Sequence, residues 1–232
     1  MTKIEFIKTF IKKPAPVLIC DTCAYLDIIR LPFRAKKPKN ASDIIQSIQV
    51  FYDMLKEKKL YLLLPDIVED EYITNSHNVI KELDNHLLKL NNDIAIYEII
   101  AEKLFMTNNT NIIASENLKN NLSNTISKIH KKAKKIKREQ KLSHLASSRM
   151  LECKPPAKKG KNSLADCYIY EFTISLAKEI RHIDTNATIG FLSSNVEDFG
   201  RSGHEPQNIQ SDFTQYGISY FNHWAQATYN II

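Results

Sequence analysis

The chain reads as an α/β protein: a three-layer α/β/α arrangement on a mostly parallel sheet, one domain over 1–232 with a helical, basic insertion at 75–160. Three observations predict this. The apolar runs VLIC (17–20) and LYLLL (60–64) have the length of fully buried strands and are far too short to cross a bilayer. The stretches between such runs carry helical spacing of apolar residues. The resulting order, β-α-α-β-α, further helices, then α-β-α-β, is that of a parallel sheet covered on both faces.

Each element follows from local pattern. In MTKIEFIKTFIKK, Ile4, Ile7, Phe10 and Ile11 fit one helix face, and Pro14 and Pro16 end it. This segment lacks the apolar core of a secretory signal, so a cytoplasmic protein without membrane contact is expected. Val17–Cys20 is the first strand. Thr22–Ile29 has helical spacing (Ala24, Leu26, Ile29) and is expected to stop at Leu31-Pro32. RLPFRAKKPKNAS reads as a loop. Ser42 then caps a helix with Ile44, Ile45, Ile48, Phe51, Tyr52 and Leu55 on one side. Leu60–Leu64 is the second strand, ended by Pro65, and a helix starts near Asp66.

From about Asn75 the pattern becomes long, polar and helical: Val79–Phe105 and Ser115–Met150, separated by MTNNTN. CKPPAKKGK reads as a return loop. Asn162 caps a helix at 163–182 with Leu164, Cys167, Tyr168, Phe172, Leu176 and Ile180 toward the core. Thr188–Ser193 and Gly217–Phe221 complete the strands.

Charge is uneven. Segment 128–141 holds eight Lys or Arg and one acid, Glu139, although the whole chain is only +6. With KPPAKKGK (154–161) it forms one basic region, the footprint of a polyanion partner such as RNA. Lys131, Lys132, Lys134, Lys135, Lys137, Arg138, Lys158 and Lys159 are the candidate contacts; a solvated helix face is the other reading.

The motifs narrow the chemistry. Five glycines and the absence of GxGxxG and GxxxxGK[ST] argue against a glycine-rich phosphate loop. Seven histidines show no HExxH spacing, so a histidine-based zinc hydrolase lacks support. Cys20 and Cys23 form a CxxC at a strand-to-helix junction, where small core residues and a redox pair are both readings. Four acids remain: Asp21, Glu71, Asp166 and Asp198 follow the punctuation of apolar runs in VLICD, LLLPDIVEDE, NSLAD and FLSSNVED. The carboxyl ends of parallel strands share one edge, where ligands bind. Carboxylates gathered there repel unless a cation joins them. A divalent ion with oxygen ligands, Mg²⁺ or Mn²⁺, suits such a set and suits phosphodiester cleavage. Each acid also has a plainer use: Asp21 as an N-cap, Asp166 as a partner of the helix dipole, Asp198 as a turn cap.

In order and spacing, VLICDTCAYLD, LLLPDIVEDE, SLADCYIYEF and FLSSNVEDF resemble the PIN domain of metal-dependent ribonucleases over about 17–74 and 160–222. The resemblance implies that Asp21 is the first strand-end acid, that Glu71 closes the P-x-x-V-x-x-E string (Pro65, Val68, Glu71), and that Asp166 opens the following helix. Where many members have T-x-D, this chain has Ser193-Ser194-Asn195, with Asp198 three residues on, so Asn195 and Asp198 both remain candidates, and Ser193 or Ser194 is a candidate donor to the phosphate or another carboxylate. What the resemblance implies is a Mg²⁺- or Mn²⁺-dependent endoribonuclease acting on single-stranded or looped RNA. Relatives include toxins of toxin–antitoxin pairs, which leaves room for an inhibitory protein partner, and enzymes of RNA processing or phage defence. Tyr168 and Tyr170 are candidates for base stacking. A non-catalytic RNA-binding protein on the same fold is the alternative; a phosphatase lacks its DxD, because Cys23 holds the second acidic position.

Overall fold

The computed structural model describes residues 1–103 and 115–231. In chain order the elements are α1 (Lys3–Lys12), β1 (Val17–Cys20), α2 (Thr22–Arg34), α3 (Pro38–Lys56), β2 (Tyr61–Pro65) and α4 (Asp66–Lys103). They continue with α5 (Ser115–Lys132), β3 (Lys134–Ile136), α6 (Gln140–Leu151), α7 (Leu164–Ile183), β4 (Ile189–Leu192), α8 (Val196–Phe199), α9 (Gln207–Gln215), β5 (Ile218–Phe221) and α10 (Trp224–Ile231). The strands form one sheet in the order β3-β2-β1-β4-β5, and every pairing is parallel.

Residues Val17–Cys20 are buried along the whole of β1, because helices cover both faces of the central strand. Over the face of Leu18 and Gly190 lie α2, α3, α5 and α10, joined through Trp224, whose ring meets Phe51 and Tyr25 and whose indole N–H donates to the Ala24 carbonyl at 2.8 Å. Gly190 is required there: a Cβ would stand 2.8 Å from the Phe221 ring and 2.9 Å from Leu18. Over the face of Phe191 lie α1, α7 and α9, through Phe213, Tyr170 and the Phe6–Tyr61 edge contact. The chain leaves β1 toward β2 and β3, then returns to place β4 and β5 on the other side. The reversal between β1 and β4 is a topological switch point, where a crevice opens beyond the carboxyl ends of the strands.

Several local expectations are corrected. The expected helix 115–150 is broken by β3, whose Lys134, Lys135 and Ile136 pair with Leu63, Leu64 and Pro65. Lysine is a good helix former, so the run shows no strand signal. As an edge strand β3 tolerates lysine, and it is covered by the N-terminus: the Met1 amino group donates to the Lys135 carbonyl and the Lys137 N–H to the Met1 carbonyl, both at 2.9 Å. Pro65 is itself the last residue of β2 rather than the first beyond it. Helix α2 passes Pro32 to Arg34, and α3 starts at Pro38, a residue preorganised for a first turn, before Ser42. Helix α4 runs through Asn75 without a break. In α1 the buried face is Lys3, Phe6 and Phe10, with Ile4 and Ile11 exposed; Leu164 is also exposed. The final helix α10 had no expectation. MTNNTN lies outside the described residues.

Candidate active site

Asp21 follows β1 directly and caps α2. Its Oδ1 accepts the Thr22 N–H at 2.7 Å and its Oδ2 accepts the Ser193 hydroxyl at 2.7 Å. Both anticipated uses thus coincide: the side chain caps a helix and sits at the strand edge, only 3% exposed. Ser193 follows β4 and is held by the loop around it, since Asn222 Nδ2 and the Tyr220 hydroxyl donate to its carbonyl at 3.2 and 3.3 Å. Thr22 turns its hydroxyl to Glu71 Oε2 at 2.8 Å, tying the first turn of α2 to the second turn of α4.

Glu71 is singled out from its acidic neighbours by pairing. Arg138 takes Asp66 and Asp70, and Lys135 takes Glu69. Among the described residues Glu71 has no basic partner within 4.0 Å. Two further acids are taken up away from this chain of contacts: Asp27 pairs with Arg30 and Arg34, and Glu171 with Arg149.

Asn195 joins the other two acids. Its Nδ2 donates to Asp166 Oδ1 at 3.2 Å and to Asp198 Oδ2 at 2.8 Å, while its backbone N–H donates to Ser193 Oγ at 3.1 Å. Its Oδ1 caps α8, accepting the Asp198 N–H at 3.3 Å. A continuous polar chain therefore runs Glu71–Thr22–Asp21–Ser193–Asn195–Asp166/Asp198, built by the ends of β1 and β4, the first turns of α2, α7 and α8, and the second turn of α4. All five anticipated residues lie on it.

The electrostatics confirm how near the acids stand. Burial pushes the Asp21 carboxyl up to about 6, with the Glu71 charge adding to it and the Ser193 and Thr22 hydrogen bonds opposing it. Burial and then the charges of Asp21, Asp198 and Glu71 push Asp166 up to about 8. Asp198 goes the other way. Its burial acts to raise it, but hydrogen bonds from Lys161 and Asn195 hold it below the usual carboxylate range. Lys158 approaches its Oδ1 at 3.3 Å, and Lys161 its Oδ2.

Ser193 meets the expectation that it or Ser194 bonds a carboxylate, and Lys161 is the strongest addition to the expected set. Lys161 lay unremarked at the end of KPPAKKGK, where it looked like one more loop charge. Cys23 also borders the acids. Its thiol is pushed well up by burial and by Asp21, Asp166 and Glu71, and Cys20 is likewise raised by burial. Thiols held protonated are poor nucleophiles, which removes the support for a redox CxxC.

The basic residues do not form one patch. Lys131, Lys132 and Lys134 sit at the amino ends of β2 and β3, the edge of the sheet away from the acids. Lys135 and Arg138 are paired to α4. Lys137 and Lys159 are exposed, and only Lys158 reaches the acidic edge. Tyr168 and Tyr170 are buried, the first donated to by Glu139 N–H at 2.8 Å, the second under the Arg149 guanidinium at 4.2 Å, so neither offers a face for stacking. Beside Ser194 a hollow of about 290 Å³, lined by Ala24, Leu31, Arg34, Lys36, His223 and Trp224, opens next to the polar chain.

Among the described residues no three His, Cys, Asp or Glu side chains stand close enough to enclose an ion as they lie. Serine, threonine and asparagine donors occupy the carboxylate oxygens instead. The donor set still fits a hard divalent cation: it is all oxygen, buried at Asp21 and Asp198 and half-buried at Glu71 and Asp166, and carries more negative charge than the protein neutralises. A PIN domain family model matches residues 18–199. Comparison with curated proteins and with solved structures gave no match. With its acids at the switch point of a five-stranded parallel sheet and most of its length matched, the chain belongs to the PIN domain family, a nuclease-type fold.

Proposed function

We propose that this protein is a divalent-cation-dependent endoribonuclease whose site is Asp21, Glu71, Asp166 and Asp198, with Asn195 between the last two. The observation that carries the reading is the convergence of Asp21, Glu71, Asp166 and Asp198 on one hydrogen-bonded chain at the carboxyl edge of the sheet, where like charges repel. Such mutual repulsion is what a bound cation relieves. Asp21, Glu71 and Asp166 would hold Mg²⁺ or Mn²⁺, Asp198 joining them if its lysines turn to the substrate. When bound, such ions lower the pKa of a water and stabilise the leaving oxygen of a phosphodiester.

The chain's own residues do the positioning. Ser193 and the Thr22 N–H fix both oxygens of Asp21. The Thr22 hydroxyl orients Glu71, and Asn195 holds Asp166 and Asp198 at a set spacing. Lys158 and Lys161 are placed to meet the phosphate backbone of the RNA, as is exposed Lys159. The 290 Å³ hollow beside Ser194 suits a nucleotide next to the scissile bond.

The test is cleavage of a labelled RNA in Mg²⁺ or Mn²⁺ by the wild type and by Asp21→Asn and Asp166→Asn, with folding checked by circular dichroism. Each substitution is expected to lower the rate by at least about 10²-fold, the scale of losing a charge that acts in the transition state. Activity surviving both overturns the reading. A second reading, a non-catalytic RNA-binding protein, is favoured by one observation: two lysines already neutralise Asp198. It predicts RNA binding in EDTA that falls with salt and is unchanged in both aspartate variants. An inhibitory protein partner, as in a toxin–antitoxin pair, belongs to the first reading, and co-purification with a neighbouring protein would test it.

A further inference from the structure

The edge of the sheet opposite the acids carries a second concentration of charge. A hollow of about 420 Å³ opens at the amino ends of β2 and β3. Lys12 and Lys13 reach it from the end of α1, and Lys56 and Lys58 from the end of α3. The end of α5 and the start of β3 supply Lys131, Lys132 and Lys134. Its floor is Leu55, Leu60, Tyr61 and Leu62, and no acid lines it among the described residues. Among the described residues, only Lys56 of the seven lysines has a carboxylate within 4.0 Å, Asp53 at 3.5 Å.

Helix-end complementarity does not account for this. Three helix carboxyl ends contribute about half a negative charge each, roughly −1.5 in total, against seven lysines. The excess is confined. Along β3 toward the acids, Lys135 and Arg138 are cancelled by Glu69, Asp66 and Asp70, so the hollow is not the end of a continuous basic track. The uncancelled lysines, drawn from three separate parts of the chain, converge on one concave place of small-ligand size. A phosphodiester chain spreads its charges; a hollow of this volume lined by six lysines without a carboxylate partner among the described residues matches charges that are bunched.

We propose that this hollow is a distinct binding site for a small, phosphate-dense anion carrying three or more clustered phosphates. A nucleoside polyphosphate and inorganic polyphosphate share that chemistry. Lysine is the right residue for it, a point charge on a flexible stem whose methylenes cover the leucine floor.

The probe is inorganic tripolyphosphate, titrated by calorimetry into the full-length protein without divalent ions at constant ionic strength. Binding at one site is expected, at least tenfold tighter than inorganic phosphate. Lys12→Gln/Lys131→Gln/Lys132→Gln, all exposed, is expected to weaken it at least tenfold, and Lys158→Gln/Lys161→Gln to leave it unchanged. A nucleoside triphosphate in a second arm tells the two sources apart: tighter binding than tripolyphosphate assigns a contribution from the nucleoside. No binding, equal binding by phosphate, or equal loss in both variant sets overturns the proposal. So does RNA that binds the hollow and is not displaced by tripolyphosphate. Because no cleavage is read, failure of the nuclease assignment leaves this result standing.

Discussion

Asp166 shows how much one carboxyl reveals. Burial and three like charges raise it, so its proton is bound more tightly in the folded chain than in the unfolded one. Stability from Asp21 and Asp166 is therefore complete below the ordinary value of 3.8 and is lost as pH rises through about 6 and about 8. Thermal melts in EDTA are expected to fall across that window. Millimolar Mg²⁺ or Mn²⁺ should reverse the fall at pH 8 and do little at pH 5, since the ions need ionised ligands and stabilise only the state that binds them. A melting temperature indifferent to cations at pH 8 would contradict this. By the same reasoning Asp166→Asn removes repulsion, and the metal-free variant is expected to melt about 2–4 °C above the wild type at pH 8, a gain of about 1 kcal/mol. At this scale the sequence was most readable. Asp21, Glu71, Asp166, Asn195 and Asp198, singled out from local signals at strand ends and helix starts, are brought onto one polar chain. Ser193 was anticipated, with Ser194, as a donor to a carboxylate or the phosphate, but its partner Asp21 was not; Lys161 was missed, since Asp198 lies 37 residues away.

Helix α5 shows what an element contributes. Its His130 packs edge-on against Tyr25 at 4.5 Å and Tyr72 at 5.0 Å, pinning α5 to α2 and α4 beside the site. Burial holds its imidazole down to about 4. The depressed value gives stability that is present above the ordinary 6.5 and lost as pH falls toward about 4, opposite in sign to the aspartates. His130→Ala is expected to cost about 2–3 kcal/mol, read as a lower urea midpoint, by loss of the buried ring contacts. It should also flatten the acid limb of the stability curve. Strand β3 is the counter-example for legibility. Three residues, two of them lysines, carry no alternation that a reader could detect. Their place is decided by pairing with Leu63–Pro65 and by cover from Met1.

At the scale of the molecule, charge is partitioned rather than pooled. The acidic edge, with Lys158 and Lys161, lies at the carboxyl ends of the strands. The larger group of lysines lies at the amino ends, roughly 15 Å away along a strand of this length. Binding of single-stranded RNA should therefore depend on salt only modestly. With two or three phosphate contacts the slope of log K against log [salt] is expected near −1.4 to −2.1, and Lys161→Gln should reduce it by about 0.7. A slope several times steeper would mean that the distal lysines also carry RNA.

By itself the sequence determined the layer order, the strands β1, β2, β4 and β5, and the acids that could meet, because burial on both faces and helix capping leave short-range marks. Only the tertiary structure decided that Ser193, Thr22 and Asn195 link those acids into one chain, that Lys161 sits on Asp198, and that a single run of lysines divides between opposite edges of the sheet. Those outcomes depend on which strand lies beside which, and a parallel sheet brings its edges together through long crossovers whose end points no local pattern records.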